Sequence, residues 1–327
     1  MKTMALKAAR IAVVIAAAAS LAACGSSDST ADDGLDTVKI GQFPGIVTNS
    51  QVWLGGDEFY GTFKKHGLKV EIVPGSPQIS TAQLVSGEVD IVASNALSVY
   101  SLRDKGENVK LLSKLSTNLQ IMLARSDQKI EPGDFAALKG KRIGVLGLNN
   151  QATVQAMLVG HGVDPSSITF TIVPDDPTGR SLLKAKEFDF YVTIEPGASA
   201  AVTEGFARVW MDFRTPAAGD LQKQPNVMLF AKSSWLDQNK DVAKRVQQAV
   251  QETIDTAKAD PTKAVDLIVK GLPDGDTAAI RRLAPEEIKT WAGPVTQEDI
   301  TLLNQIYVKA AKLAKKDEKF EEIVWQP

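Results

Sequence analysis

The sequence predicts an α/β protein made of two successive sheet-and-helix units followed by a helical tail. Three observations carry this. Short strand-patterned runs alternate with helix-patterned stretches from Val38 onward. The alternation starts afresh after Leu138, and everything after Trp235 is helical in period. Strand–helix–strand order predicts largely parallel sheets with helices on both faces.

In the first unit, residues 38–43 alternate and stop at Pro44, which reads as a strand. A helix-patterned stretch covers 50–65 and is closed by Gly67; a strand at 68–73 is closed by Pro74-Gly75. A short helix at 79–86, a strand at 89–93 and a helix at 96–105 follow, then strands at 109–115 and 119–124. The second unit runs strand 143–146, helix 151–159, strand 168–173, helix 179–186, strand 188–193, helix 197–203 and strand 207–213. Residues 227–231 look like a strand running back, and 242–257, the segment from Pro261, and 299–315 are helical. In the last of these, Ile300, Leu303, Ile306, Tyr307 and Ala310 share one apolar face. If the tail packs on the first unit, the chain changes unit twice, and 119–124 and 227–231 are the natural crossings. The expected division is a first lobe from 38–122 and 228–327 and a second from 123–227, joined by a two-strand hinge. The cleft between them is where a small ligand would sit.

The first 23 residues form a leader. Lys2, Lys7 and Arg10 precede an apolar run at 11–19, too short to span a bilayer, and small residues follow. Leu21-Ala22-Ala23-Cys24 resembles the lipobox of bacterial lipoproteins, which implies that Cys24 becomes the first mature residue and carries lipid on its sulfur and amine. An ordinary signal peptide with an incidental cysteine is the alternative; Cys24 being the only cysteine argues against it. Residues 24–37 are polar and of low complexity, a flexible tether reaching roughly 20 Å. The expected location is therefore the extracytoplasmic face of a membrane. Removing the leader turns 37 basic against 39 acidic residues into 34 against 39, a net charge of −5 with no basic stripe for nucleic acid. With one cysteine no internal disulfide forms, and stability must come from packing. We expect a monomer.

Three segments, in order, resemble the extracytoplasmic solute-binding proteins of ABC importers, and within them the nitrate, taurine, alkanesulfonate and thiamine-pyrimidine-precursor group. They are Leu84-Val85-Ser86-Gly87-Glu88-Val89-Asp90-Ile91, Leu138-Lys139-Gly140-Lys141-Arg142-Ile143-Gly144-Val145, and Glu195-Pro196 after a strand. The resemblance covers about 38–235 and implies a two-lobed, type II periplasmic-binding-protein-like fold. It further implies a ligand closed between lobes and delivered to a permease with its ATPase. The motifs themselves read as scaffold: Gly87 and Gly140 as turn glycines, Asp90 as a strand anchor.

Ligands of open α/β sheets bind beyond the carboxyl ends of strands. That rule selects Phe43, Pro44, Ser76, Ser94, Asn95, Thr117, Asn118, Asn149, Asn150, Gln151, Thr178 and Glu195 as candidate contacts. Several of them could equally cap helices. Helix N-termini can hold an anion, which keeps sulfonate and nitrate open. The amides and Glu195 favour a neutral or amine-bearing ring compound instead. Glu195 could contact the ligand or pair with Arg180 or Arg214.

His66 and His161 both precede glycine at helix ends and make a poor start for a metal site. Asp274-Gly275-Asp276 reads as a turn rather than a calcium loop. Trp53, Trp210 and Trp235 read as packing residues, with Trp53 or Phe43 the alternative cover for a planar ligand. No nucleophile elbow, phosphate loop or dinucleotide fingerprint is present, so neither an enzyme nor a cofactor is expected. A pyrimidine-forming enzyme of the same superfamily uses a cysteine-rich segment this chain lacks. The remaining alternative is a lipoprotein that presents its ligand to a membrane receptor.

Overall fold

The computed structural model describes residues 34–43, 47, 50–273 and 276–327. The leader, Cys24, most of the tether, Pro44, Asp274 and Gly275 lie outside the described residues.

Two five-stranded sheets organise the chain from Leu35 to Pro327. The first takes β1 (Asp36–Gln42), β2 (Leu68–Pro74), β3 (Ile91–Asn95) and β4 (Val109–Lys114). The second takes β5 (Ile121–Arg125), β6 (Arg142–Val145), β7 (Thr169–Ile172), β8 (Phe190–Thr193) and β9 (Ala207–Asp212). The chain then returns, and β10 (Val227–Lys232) completes the first sheet. The orders are β2-β1-β3-β10-β4 and β7-β6-β8-β5-β9. In each sheet three strands pair in parallel through connecting helices, β1 with β2 and β3, and β6 with β7 and β8. In each, one strand runs back: β10 between β3 and β4, β5 between β8 and β9. The segments expected to be crossings are thus largely interior strands. The change of sheet takes place at 115–120 and 213–226.

A shared device sets the register of both sheets. Asp90, just before β3, accepts the Lys39 backbone N–H at 2.8 Å, and its own N–H donates to the Lys39 carbonyl at 2.9 Å. Asp189, just before β8, holds Arg142 in the same way, at 2.9 and 2.8 Å. Each aspartate follows a left-handed turn. Gly87 sits at φ 84° where the turn suits glycine, while the second copy places Lys186 at φ 66°. Gly87-Glu88-Val89-Asp90-Ile91 and Lys186-Glu187-Phe188-Asp189-Phe190 are two uses of one motif.

Both faces of each sheet are covered. Along β10, Met228 and Phe230 pack with Ile300, Leu303, Ile306 and Tyr307, while Leu229 and Ala231 face Val246, Val250 and Ile254. The helical tail therefore clothes the first sheet. The second is covered by Met157 and Leu158 on one side and by Leu183, Ala198 and Ala201 on the other.

Two helices depart from expectation. The stretch 50–65 is two one-turn helices, Ser50–Trp53 and Thr62–Lys65, because Gly55 and Gly56 interrupt it and Gly61 takes φ 67°. The stretch 299–315 is α-helical only at Gln297–Asn304 and then widens into a π-helix at Gln305–Ala310. His66 and His161 cap their helices, His66 bonded to Glu252 at 2.9 Å and His161 stacked on Phe135. Trp53 packs edge-on against Phe59, and buried Trp210 donates to the Ile130 carbonyl at 3.2 Å. Among the described residues, no group of three or more His, Cys, Asp or Glu could hold a metal ion.

Candidate functional site

The two crossing segments lie side by side. Leu115 N–H donates to the Val227 carbonyl at 2.7 Å, and Asn226 N–H to the Ser116 carbonyl at 2.9 Å. Around them runs a polar seam. Asn118 Nδ2 donates to the Leu221 carbonyl at 3.0 Å and to Gln224 Oε1 at 3.2 Å. Gln120 Nε2 donates to Thr153 Oγ1 at 2.8 Å, which donates to Gln224 Oε1 at 3.0 Å. The seam ends at Asn149, whose Nδ2 donates to Asn226 at 3.3 Å and whose Oδ1 accepts the Tyr307 hydroxyl at 2.6 Å. That last bond joins the helix after β6 to the tail.

The candidate residues divide into groups. Ser76 and Asn95 are N-caps: Ser76 Oγ accepts the Ile79 N–H, and Asn95 Oδ1 the Ser98 N–H. Ser94 is buried on β3, 3.5 Å from the Ser98 hydroxyl. Thr117 donates its backbone N–H to the Thr290 carbonyl at 2.9 Å. Asn118 and Asn149 belong to the seam. Asn150 and Gln151 stand half-buried in the first turn of the helix Leu148–Gly160. Thr178 donates its N–H to Asp175, the cap of the helix Asp176–Lys184. Phe43, at the end of β1, is 45% exposed. Arg180 turns to Asp176 and Glu204 instead of to Glu195.

Glu195 leads to a cavity. Its carboxylate accepts the Ser199 N–H and hydroxyl, both at 3.0 Å, and stands 3.9 Å from Arg214. Glu195, Ser199 and Arg214, with Ile121 and Val202, line a cavity of about 210 Å³ whose lining also includes Arg282 from the tail helix Thr277–Thr290. The cavity therefore has walls from both halves of the molecule. Arg214 is held bidentately by Asp212, Nε to Oδ1 at 2.9 Å and Nη2 to Oδ2 at 2.8 Å. Burial lowers the Arg214 pKa, but the Asp212 bond, with the Asp212, Glu195 and Glu287 charges behind it, outweighs that and moves it upward.

Glu287 shares the Thr277–Thr290 helix with Arg282 and is only 3% exposed. Its Oε2 has no hydrogen-bond partner among the described residues. Burial pushes its pKa up to about 8; the Arg214 charge opposes this and the Glu195 charge adds to it. Other buried polar atoms near this junction, among them Gln51 Oε1, Ser116 Oγ, Gln120 Oε1, Gln224 Nε2 and Trp291 Nε1, have no hydrogen-bond partner among the described residues. Gln51 reaches the Leu115 carbonyl through Nε2, and Ser116 is bridged to Trp291.

Arg214, Arg282, Glu287 and Tyr307 were not among the sequence candidates. Glu287 did carry a signal: it falls seven residues after Ile280 and three after Ala284, on the side of the helix that also buries Ile288. A carboxylate in an apolar stripe is a residue to question. Arg214 was named only as a possible partner of Glu195, from which it stands 3.9 Å, and Tyr307 only as part of an apolar helix face.

A family model described as NMT1/THI5 like matches residues 59–264. No curated protein matches the chain. Among solved structures, the periplasmic aliphatic sulphonate binding protein SsuA from Escherichia coli has a TM-score of 0.73 at 16% identity, over 89% of this chain and 98% of that one. The periplasmic nitrate-binding protein NrtA from Synechocystis PCC 6803 has a TM-score of 0.58 at 17% identity, over 78% and 69%. A Candida albicans gene product described as exhibiting the generic periplasmic binding protein fold has a TM-score of 0.67 at 17% identity, over 90% and 98%. Likeness at these identities speaks to the fold, which is periplasmic binding protein-like.

Proposed function

The chain belongs to the NMT1/THI5-like family, and on that premise we propose that it is the solute-binding component of an ABC importer. It captures a small organic solute between its two sheet units and hands it to a permease. The observation that carries this reading is the cavity lined by Glu195 and Arg214 together with Arg282 of the tail, because a solute there can touch both halves at once. Such a ligand favours whichever arrangement brings the halves together, in proportion to its differential affinity for it. Fold relatives named for sulphonate and nitrate binding support the reading that the cargo is a small polar solute. The role is binding rather than catalysis, and lipid on Cys24 tethers the protein to the extracytoplasmic face of a membrane.

The test pairs thermal unfolding with solution scattering on a panel of sulfonates, nitrate, pyrimidines and amines. A ligand at 100 times its dissociation constant adds about 2.7 kcal/mol of stability, and the same ligand is expected to reduce the radius of gyration. A tight ligand that leaves the scattering unchanged would argue against capture between the halves.

A further inference from the structure

We propose that the bond between Tyr307 and Asn149 is a latch that sets how tightly a solute is held, although neither residue lines the cavity. The two halves pivot on the paired crossings, and the cavity narrows only as the latched side opens. The affinity claim rests on the solute-binding reading; the pivot itself does not.

The halves meet at two junctions, one on each side of the crossings. Alternate residues of a strand point to opposite faces of its sheet, and this sorts the junctions. On β10, Leu229 and Ala231 share a cluster with Ile280, Ala284 and Ile288 of the helix that carries Arg282. On β5, Ile121 and Leu123 share one with Ala198 and Ala201, which flank Ser199 on its helix. The cavity spans these two faces. The latch spans the other two. Met228 and Phe230 of β10 cluster with Tyr307, and Met122 and Ala124 of β5 with Met157 and Leu158 of Asn149's helix. Here the halves are in apolar contact: Ala152 of that helix is buried in the Tyr307 cluster, and the Tyr307 hydroxyl donates to Asn149 at 2.6 Å. The Tyr307 ring is fixed in the first half by edge-on contact with Tyr100, centroids 5.2 Å apart. One junction is therefore closed by packing and a hydrogen bond, while the other is lined by exposed Val202, Val209 and Arg282. Each sheet is packed on both faces, so each half moves as a body. The crossings between them are bonded to each other, Leu115 to Val227 and Asn226 to Ser116. Rotation about them that closes one side opens the other. A solute that draws the cavity walls together thus works against the latch, and its affinity is lowered by what the latch costs to break.

The experiment measures two distances by pulsed electron paramagnetic resonance. Each comes from a pair of spin labels on the full chain carrying Cys24→Ala, so that only introduced cysteines react. Val202→Cys with Arg282→Cys spans the cavity. Val159→Cys with Gln305→Cys spans a groove of about 440 Å³ between Asn149's helix and the tail. Tyr307→Phe should lengthen the second distance and shorten the first. Tyr100→Phe, which removes a hydroxyl bonded to Asn304 at 2.9 Å within the first half, should move neither. Shifts in the same direction, or a change at one pair alone, overturn the pivot; Asn149→Ala repeats the test should Tyr307→Phe fail to fold. Unlabelled chains titrated with ethanesulfonate, nitrate and 4-aminopyridine then read the affinity. Whichever of these binds the parent should bind Tyr307→Phe roughly two- to tenfold more tightly, the worth of one hydrogen bond. Equal affinity despite opposed shifts overturns the role of the latch in holding solute. Opposed shifts with none of the three compounds bound leave the pivot standing and count against the solute-binding reading.

Discussion

A carboxyl kept protonated by burial makes stability depend on pH in a direction opposite to that of an ordinary surface acid. The perturbation is Glu287→Gln, which keeps shape and hydrogen-bonding capacity but cannot ionise. In the folded chain the Glu287 pKa is raised by burial from 4.5 to about 8, a difference of 3.5 units. At 1.36 kcal/mol per unit this is roughly 5 kcal/mol. The sign follows from linkage: between those values the native state holds a proton that the unfolded state has lost. The contribution is thus fully present below 4.5 and disappears as pH rises through about 8. About 4 kcal/mol of it falls between pH 5 and pH 9. For a chain of this length that is roughly 6 °C in midpoint temperature. The assay is thermal and urea unfolding of both proteins from pH 5 to pH 9, taken as the difference between them so that all other titrations cancel. The glutamine variant should gain steadily on the parent as pH rises. A difference that stays flat across the range would refute the buried, protonated state of Glu287.

Two further outcomes follow, one from the geometry and one from the sequence. Tyr307→Phe removes the hydroxyl that Asn149 accepts at 2.6 Å. It should cost about 1–2 kcal/mol in urea unfolding and enlarge the ligand-free radius of gyration. Cys24→Ala should release the protein from membranes into the soluble fraction, read by detergent phase partitioning; unchanged partitioning would rule out the lipid anchor.

The strands were legible because most are buried on both faces, so Val227–Lys232 and Phe190–Thr193 show as short apolar runs bounded by polar turns. Their order in the sheets was not: nothing in Ile121–Arg125 marks it as a strand that slots between two later ones. The helix expected at 50–65 failed because Trp53, Phe59 and Phe63 are spaced loosely like a helical face, while the glycines between them decide the backbone. In the site, Asn95 was readable as a cap from the residue type alone, whereas Ser94, Asn149 and Thr178, of equally suitable type, leave that role to Asn95, Gly147 and Asp175. The charged cluster was not readable as a cluster. Glu195, Arg214 and Glu287 come from distant parts of the chain, and only the folded crossings bring them together.

The placing of β10 also dictates the order in which the molecule can be assembled. That strand lies inside the first sheet, with β3 on one side and β4 on the other, yet it is made after every strand of the second sheet. A chain emerging from its N-terminus therefore leaves the first sheet split in two, with open backbone edges along β3 and β4, for as long as residues up to 226 are all that is available. The second sheet draws all its strands from Ile121–Arg125 to Ala207–Asp212 and can close without waiting. The first sheet, though it begins the polypeptide, thus cannot be completed until Val227–Lys232 is available, whereas the second holds all its strands before that point.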